Sequence, residues 1–220
     1  MKKKVFQVAI DSPAASGAGT QAKLISKHYN LLYLDTGKLY RILGLCYLKN
    51  DKKINYTKFK KVILKTKFKD LKRKKLLKNE ISLAAAYLAK NKRIRSFVEI
   101  FQKKISEKPP SSFRGVCFDG RDITYNIMPK ADVKFYMTAK DNIRAKRRFK
   151  ELKSKGYKVN LKEVLKTIKM RDKSDLKRKI SPLKKTKDSI FIDSSYLTKK
   201  QCFKKMKKYI DYKFNKYVKY

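Results

Sequence analysis

Five short apolar runs divide this chain, and a longer amphipathic stretch follows each of them. The runs are VFQVAI (5–10), LLYL (31–34), GVCF (115–118), DVKFYM (132–137) and SIFI (189–192). Each is too short for a buried helix, so each reads as a strand. The stretches between them carry helical spacing. One helix is expected from about Thr20 to Tyr29. Another runs from about Gly37 to Leu48, with Leu39, Ile42, Leu43 and Cys46 on one face. Residues 81–105 read as two helices broken at Asn91, and a further helix from about Asp141 to Lys153 stops at Gly156. Asn160 with Glu163, and Thr198 with Gln201, have capping-box spacing and open the last two helices. Strands joined through helices pair in parallel, because a hairpin needs only a few connecting residues. The predicted fold is therefore α/β, with a five-stranded parallel sheet flanked by helices. Residues 50–79 are lysine-dense and admit a helix, a small strand insert, or both. Lys108 to Ser112 reads as a linker.

The charge is extreme: 61 lysines and arginines against 18 acids, for a formal net charge of +43. Lysine outnumbers arginine 50 to 11 and is spread along nearly the whole chain. A dedicated nucleic-acid module concentrates its charge and uses more arginine. The charge is read as solvated surface that speeds the arrival of polyanionic small molecules, with no specific nucleic-acid partner expected. No stretch approaches the roughly 18 apolar residues of a membrane span. The N-terminal MKKKVFQVAIDSP has a basic start but too short an apolar run for a secretory leader, so it is read as the first strand. Cys46, Cys117 and Cys202 form no CxxC pair and fit reduced thiols in the cytoplasm.

Between the first strand and the first helix lies Asp11-Ser-Pro-Ala-Ala-Ser-Gly-Ala-Gly-Thr20. Small residues at this junction let backbone wrap an anion, and the helix N-terminus points N–H groups and a partial positive charge at it. Gly17 and Gly19 supply the permissive backbone. Against the full GxxxxGK[ST] pattern, Ser12 replaces the first glycine, Ala18 replaces the lysine, and Gly19 stands at the Ser/Thr position, with Thr20 beyond it. The loop alone is equally a small-residue turn between strand and helix.

Its context is more specific. SPAASGAGT, LYLDTGKLYR, FDGRDITYNIMPKADVKFYMTA, RDKSDLKRKISPLK and DSIFIDSS follow in this order. Together they resemble bacterial cytidylate kinases, from about residue 4 to residue 211, least well over 50–79. The resemblance implies a fold of the P-loop NTPase type with a helical acceptor-binding insert (about 50–112), a core formed by 1–49 and 113–220, and a lid (about 155–182) in a single domain. It implies ATP-dependent phosphorylation of CMP and dCMP, with Mg2+ bridging the donor phosphates, by a monomer. Phosphoryl transfer needs positioning and charge neutralisation, which arginine forks provide. In a chain so biased toward lysine, Arg41, Arg95, Arg121, Arg171 and Arg178 all fall on the family's motif positions.

By this resemblance, Ser12, Pro13, Ala14, Ala15, Ser16, Gly17, Ala18, Gly19 and Thr20 cradle ATP. Thr36, Arg41, Arg95, Arg121, Asp122, Arg171, Asp175 and Arg178 bind CMP. Arg121, Arg171, Arg178 and Asp119 form the catalytic set. Asp119 at a strand end would hold the magnesium shell through water, with no direct metal ligand. Arg171 and Arg178, seven apart, are expected on one helix face with Asp175 between them. Arg144, Arg147 and Arg148, on the preceding helix, read as a solvated basic face, with a contribution to the site as the alternative.

Two departures matter. Ala18 removes the cation that contacts the donor's β- and γ-phosphates, and Lys38 or a lid arginine is expected to substitute. Ala86 stands where the family has a serine that contacts the base, nine residues before Arg95, which weakens selectivity by about 1 kcal/mol. The alternatives are a kinase for another monophosphate such as UMP, or a non-catalytic nucleotide- or RNA-binding relative.

Overall fold

The computed structural model describes residues 5–218. Its strands form one five-stranded sheet in the order β2-β3-β1-β4-β5. They are β1 (Phe6–Asp11), β2 (Leu31–Asp35), β3 (Gly115–Gly120), β4 (Val133–Thr138) and β5 (Ile190–Asp193). β1 pairs in parallel with β3 from Phe6↔Gly115 to Asp11↔Gly120 and with β4 from Val8↔Val133, and β4 pairs in parallel with β5. β1 lies in the middle and is buried on both faces, as its unbroken apolar run requires. β5 is an edge strand: Ile192 is buried while Phe191 is exposed.

The chain divides into two compact units. The first comprises residues 1–33 and 110–220. Here α1 (Ala18–Tyr29) and α8 (Lys199–Val218) join the sheet in the main core. Phe6, Val8 and Ile10 of β1 meet Ala22 and Ile25 of α1, Phe135 of β4 and Met206, Ile210 and Phe214 of α8. α6 (Asp141–Lys153) and α7 (Leu161–Lys177) pack on each other through Ala145, Val164 and Ile168. α6 ends in a Schellman turn. Tyr157 N–H reaches Leu152 C=O, Gly156 N–H reaches Lys153 C=O, and Gly156 takes φ +81°. Asn160 caps α7 by accepting from Lys162 N–H, and Thr198 and Gln201 form a reciprocal capping box at α8.

The second unit, residues 34–109, is helical beyond the end of β2. It holds α2 (Gly37–Leu48), α3 (Tyr56–Leu64), α4 (Asn79–Leu88) and α5 (Lys92–Glu107). Asn91 breaks the last two helices apart and caps α5 by accepting from Ile94 N–H. Gly44 lets α2 lie close on α4, since a Cβ there would come within 2.9 Å of the Ile81 carbonyl. That packing puts α2 in this unit, ahead of the expected insert boundary near residue 50. Residues 50–79 resolve as α3 and two 3-10 turns (Asp70–Lys72 and Lys74–Leu77), with no strand among the described residues.

Candidate active site

The phosphate loop runs from the C-terminal end of β1 into α1, where the parallel sheet leaves its strand ends open. Gly17 takes φ +94° at the N-cap of α1, and no side chain caps that end. Ala15 adopts the left-handed region at φ 59°. Ser12 N–H bonds to Gly120 C=O at 3.1 Å, which ties the loop to the end of β3. Ala18 is 2% exposed and belongs to the main core.

Two arginines of α6 bind the loop from outside the motif. Arg144, 2% exposed, donates from Nη1 to Ala14 C=O at 3.0 Å. Arg147 donates from Nη1 to Ser16 C=O at 3.2 Å and from Nη2 to Ser194 C=O at 2.6 Å. The expectation of a solvated basic face is therefore wrong for both. Arg148 pairs with Glu151 of its own helix. The available signal was the one used for the other arginines, namely that a chain rich in lysine keeps arginine where a fork is needed.

Asp119, at the end of β3, places Oδ2 3.3 Å from where a Cβ on Gly19 would stand, and Tyr33 Oη is equally close. The carboxylate thus borders the start of α1, a position that suits a hydrated magnesium ion beside loop-bound phosphates. Immediately beyond it, Arg121 donates from Nε to Asp175 Oδ2 at 2.7 Å. Arg178 Nη1 lies 3.6 Å from Asp175 Oδ1, and Arg171 Nε lies 4.0 Å from Oδ2. Three of the sequence-predicted arginines therefore converge on the carboxylate of a fourth sequence-predicted residue, Asp175. Burial pushes the Asp175 carboxyl up, but Arg121, Arg171 and Arg178 outweigh it and hold it below the usual range. Arg178 does not continue the helix as expected. It is the C-cap of α7 with extended backbone, and Nε donates to Ser181 C=O at 2.6 Å. It reaches Asp175 because the chain turns back there: Leu183 N–H bonds to Asp175 C=O at 2.8 Å.

Asp122 is buried and accepts from Asn126 Nδ2 at 3.0 Å. The turn that presents Arg121 and Asp122 hangs on a residue absent from the sequence-based set. Asp11, fully buried at the end of β1, accepts from Ile123 N–H (2.9 Å), Thr124 N–H (2.9 Å) and Thr124 Oγ1 (2.6 Å). Burial raises its carboxyl to about 6 against the pull of these donors. An acid closing an apolar strand was the signal for it, since a buried carboxylate must find donors.

In the second unit, Thr36 is buried at the N-cap of α2. Arg41 donates to Leu76 C=O at 2.9 Å and to Ser82 Oγ at 3.3 Å. Ser82 precedes Ala86 by one helical turn, so a hydroxyl is present on that face of α4. Arg95, 2% exposed, donates to Ala89 C=O at 3.3 Å, lies 3.5 Å from Glu99 and sits over the Tyr40 ring at 5.6 Å. Tyr40 thus packs against this guanidinium. Lys38 also belongs to this unit.

A protein-family model described as Cytidylate kinase matches residues 8–212. A cytidylate kinase of Clostridium tetani is 37% identical over 93% of this chain and 93% of its own length. One from Thermosipho melanesiensis is 36% identical over 93% and 96%. Among solved structures, an uncharacterized protein from Eubacterium ventriosum shares the fold, with TM-score 0.55 at 16% identity, covering 94% of this chain and 98% of that one.

Proposed function

The chain belongs to the cytidylate kinase family, and from that premise we propose that it uses ATP to phosphorylate CMP and dCMP, with its residues dividing the work as follows. The observation that carries this reading is the convergence of Arg121, Arg171 and Arg178 on Asp175. Three planar forks aimed at one point are what a transferring phosphoryl group needs, because its charge spreads over several oxygens.

In the reaction, a phosphate oxygen of the acceptor forms a bond to the γ-phosphorus of ATP. The bond from that phosphorus to the bridging oxygen breaks, and ADP leaves with the electron pair. No general base is assigned. Residues Ser12 to Thr20 hold the donor phosphates by backbone N–H groups and the N-terminal end of α1. Magnesium, when bound, neutralises donor phosphate charge, and Asp119 would hold its water shell. Thr36, Arg41 and Arg95 are assigned to the acceptor phosphate. Asp122 and Asp175 are assigned to the acceptor's base and sugar. Residues from about 155 to 182 form a lid that excludes water and so limits ATP hydrolysis. The enzyme is proposed to be a monomer. Three free cysteines support a reducing, cytoplasmic setting. Among the described residues, no helix is long and apolar enough to cross a membrane.

Coupled ADP-release assays with CMP, dCMP, UMP, AMP and GMP test this reading. CMP and dCMP are expected to turn over fastest. Faster turnover of UMP would overturn the acceptor assignment. Tight CMP binding by calorimetry with no turnover under ATP and magnesium would show a non-catalytic relative.

A further inference from the structure

The residues that fix the donor loop in this chain lie outside the loop. Arg144 spends its guanidinium on four partners. Nε donates to Ala139 C=O at 2.8 Å and Nη1 to Ala14 C=O at 3.0 Å. Nη2 lies 2.5 Å from both Asp141 Oδ1 and Asp172 Oδ2. Ala139 directly follows β4, Ala14 is in the phosphate loop, and Asp172 is in α7 beside Arg171. One buried side chain therefore joins loop, sheet and lid helix. Ala15 of the loop also packs against the apolar seam between α6 and α7.

The same helix closes a circuit. Asp175, one turn beyond Arg171 on α7, holds Arg121. The turn after Arg121 hangs on Asp11, and Asp11 is the residue from which the phosphate loop departs. Loop, DGRD turn and α7 are thus linked in a ring of buried and partly buried polar contacts, and Arg144–Asp172 is the polar link between α7 and the loop.

We propose that Arg144 is a positioning residue for the donor site, held by Asp172 so that the conformation of the phosphate loop is coupled to the position of the lid helix. The proposal rests on the donor role assigned to the loop above. A loop that keeps its lysine gains order from that side chain when phosphate binds. With Ala18 here, the shape of the cradle depends on what grips its carbonyls. Lysine cannot replace Arg144, since one ammonium cannot span Ala14, Ala139 and Asp172 at once.

The test uses the full chain with Asp172→Asn, Arg144→Lys and the double variant. Asp141→Asn is the control, because Asp141 touches Arg144 but lies half exposed outside the ring. Calorimetry measures Kd for ATP with magnesium and for CMP separately, alongside turnover and melting temperature. Asp172→Asn and Arg144→Lys are each expected to weaken ATP roughly tenfold, the scale of one charge-assisted hydrogen bond. CMP affinity should change less than about twofold, and the two effects should be non-additive in the double variant. Asp141→Asn should leave ATP affinity unchanged. Equal losses for ATP and CMP, or a lower melting temperature with ATP affinity intact, would overturn the proposal by showing a purely structural pair. Wild-type protein that binds ATP but never phosphorylates CMP would refute the activity instead, and the ATP-binding arm would still decide this inference.

Discussion

At the scale of single residues, Ala18 and Asp11 have opposite histories. Ala18 was visible in the sequence as a missing cation. The lid arginines named as substitutes are engaged with Asp175, and of the two arginines that grip the loop, Arg147 places Nη1 3.9 Å from a Cβ built on Gly17. A lone absent donor costs about 10²–10³ in rate. Ala18→Lys is therefore expected to raise kcat by less than that, with KM for CMP unchanged, in steady-state kinetics. A rise of several hundredfold would mean that no other cation serves the loop. Asp11 makes a prediction for pH. Its folded carboxyl titrates at about 6, above the unfolded value of roughly 3.9. The native state then binds more protons between those values, so this group's contribution to stability falls as pH rises from about 4 to about 6 and is level above that. Denaturant unfolding across this range should show the slope in wild type and lose it in Asp11→Asn.

At the scale of elements, the sequence-based reading succeeded where a signal is local. The helix starts at Asn91, Asn160 and Thr198 are as expected, because each side chain caps a backbone N–H two or three residues on. The stop at Gly156 is also local. Nothing lies within 4 Å of a Cβ built there, so Gly156→Ala would meet only the strain of φ +81°. It should lower stability by about 1 kcal/mol in denaturant unfolding, with an unchanged m-value. The reading failed where an element's environment comes from distant segments. α6 looks like a charged surface helix by composition. Two of its arginines are instead drawn inward by carbonyls of the loop more than 120 residues earlier. Arg178 has helical spacing from Arg171 but lies past the helix end, where Ser181 C=O and Asp175 fix it.

At the scale of the molecule, the net charge of +43 acts as a field rather than a site. It attracts ATP from a distance and repels itself, and salt screens both effects. Raising salt from about 50 mM to about 500 mM should lower kcat/KM for ATP by roughly tenfold while kcat holds. A salt-independent kcat/KM would confine the relevant charge to the arginine cluster. By itself the sequence determined the parallel α/β architecture, the order of the elements and the family. These follow from periodicity, caps and motif spacing, which are local properties of the chain. Only the tertiary structure decided that Asp175 gathers three arginines, that Asp11 carries the DGRD turn, and that Arg144 ties the phosphate loop to α7. Arg171 and Arg178 lie within four residues of Asp175, but Arg121 reaches it from 54 positions away, and the Asp11 and Arg144 contacts span 28 to 130 positions. They exist because burial leaves each charged group without water, and a buried charge is stable only where the fold delivers its partner.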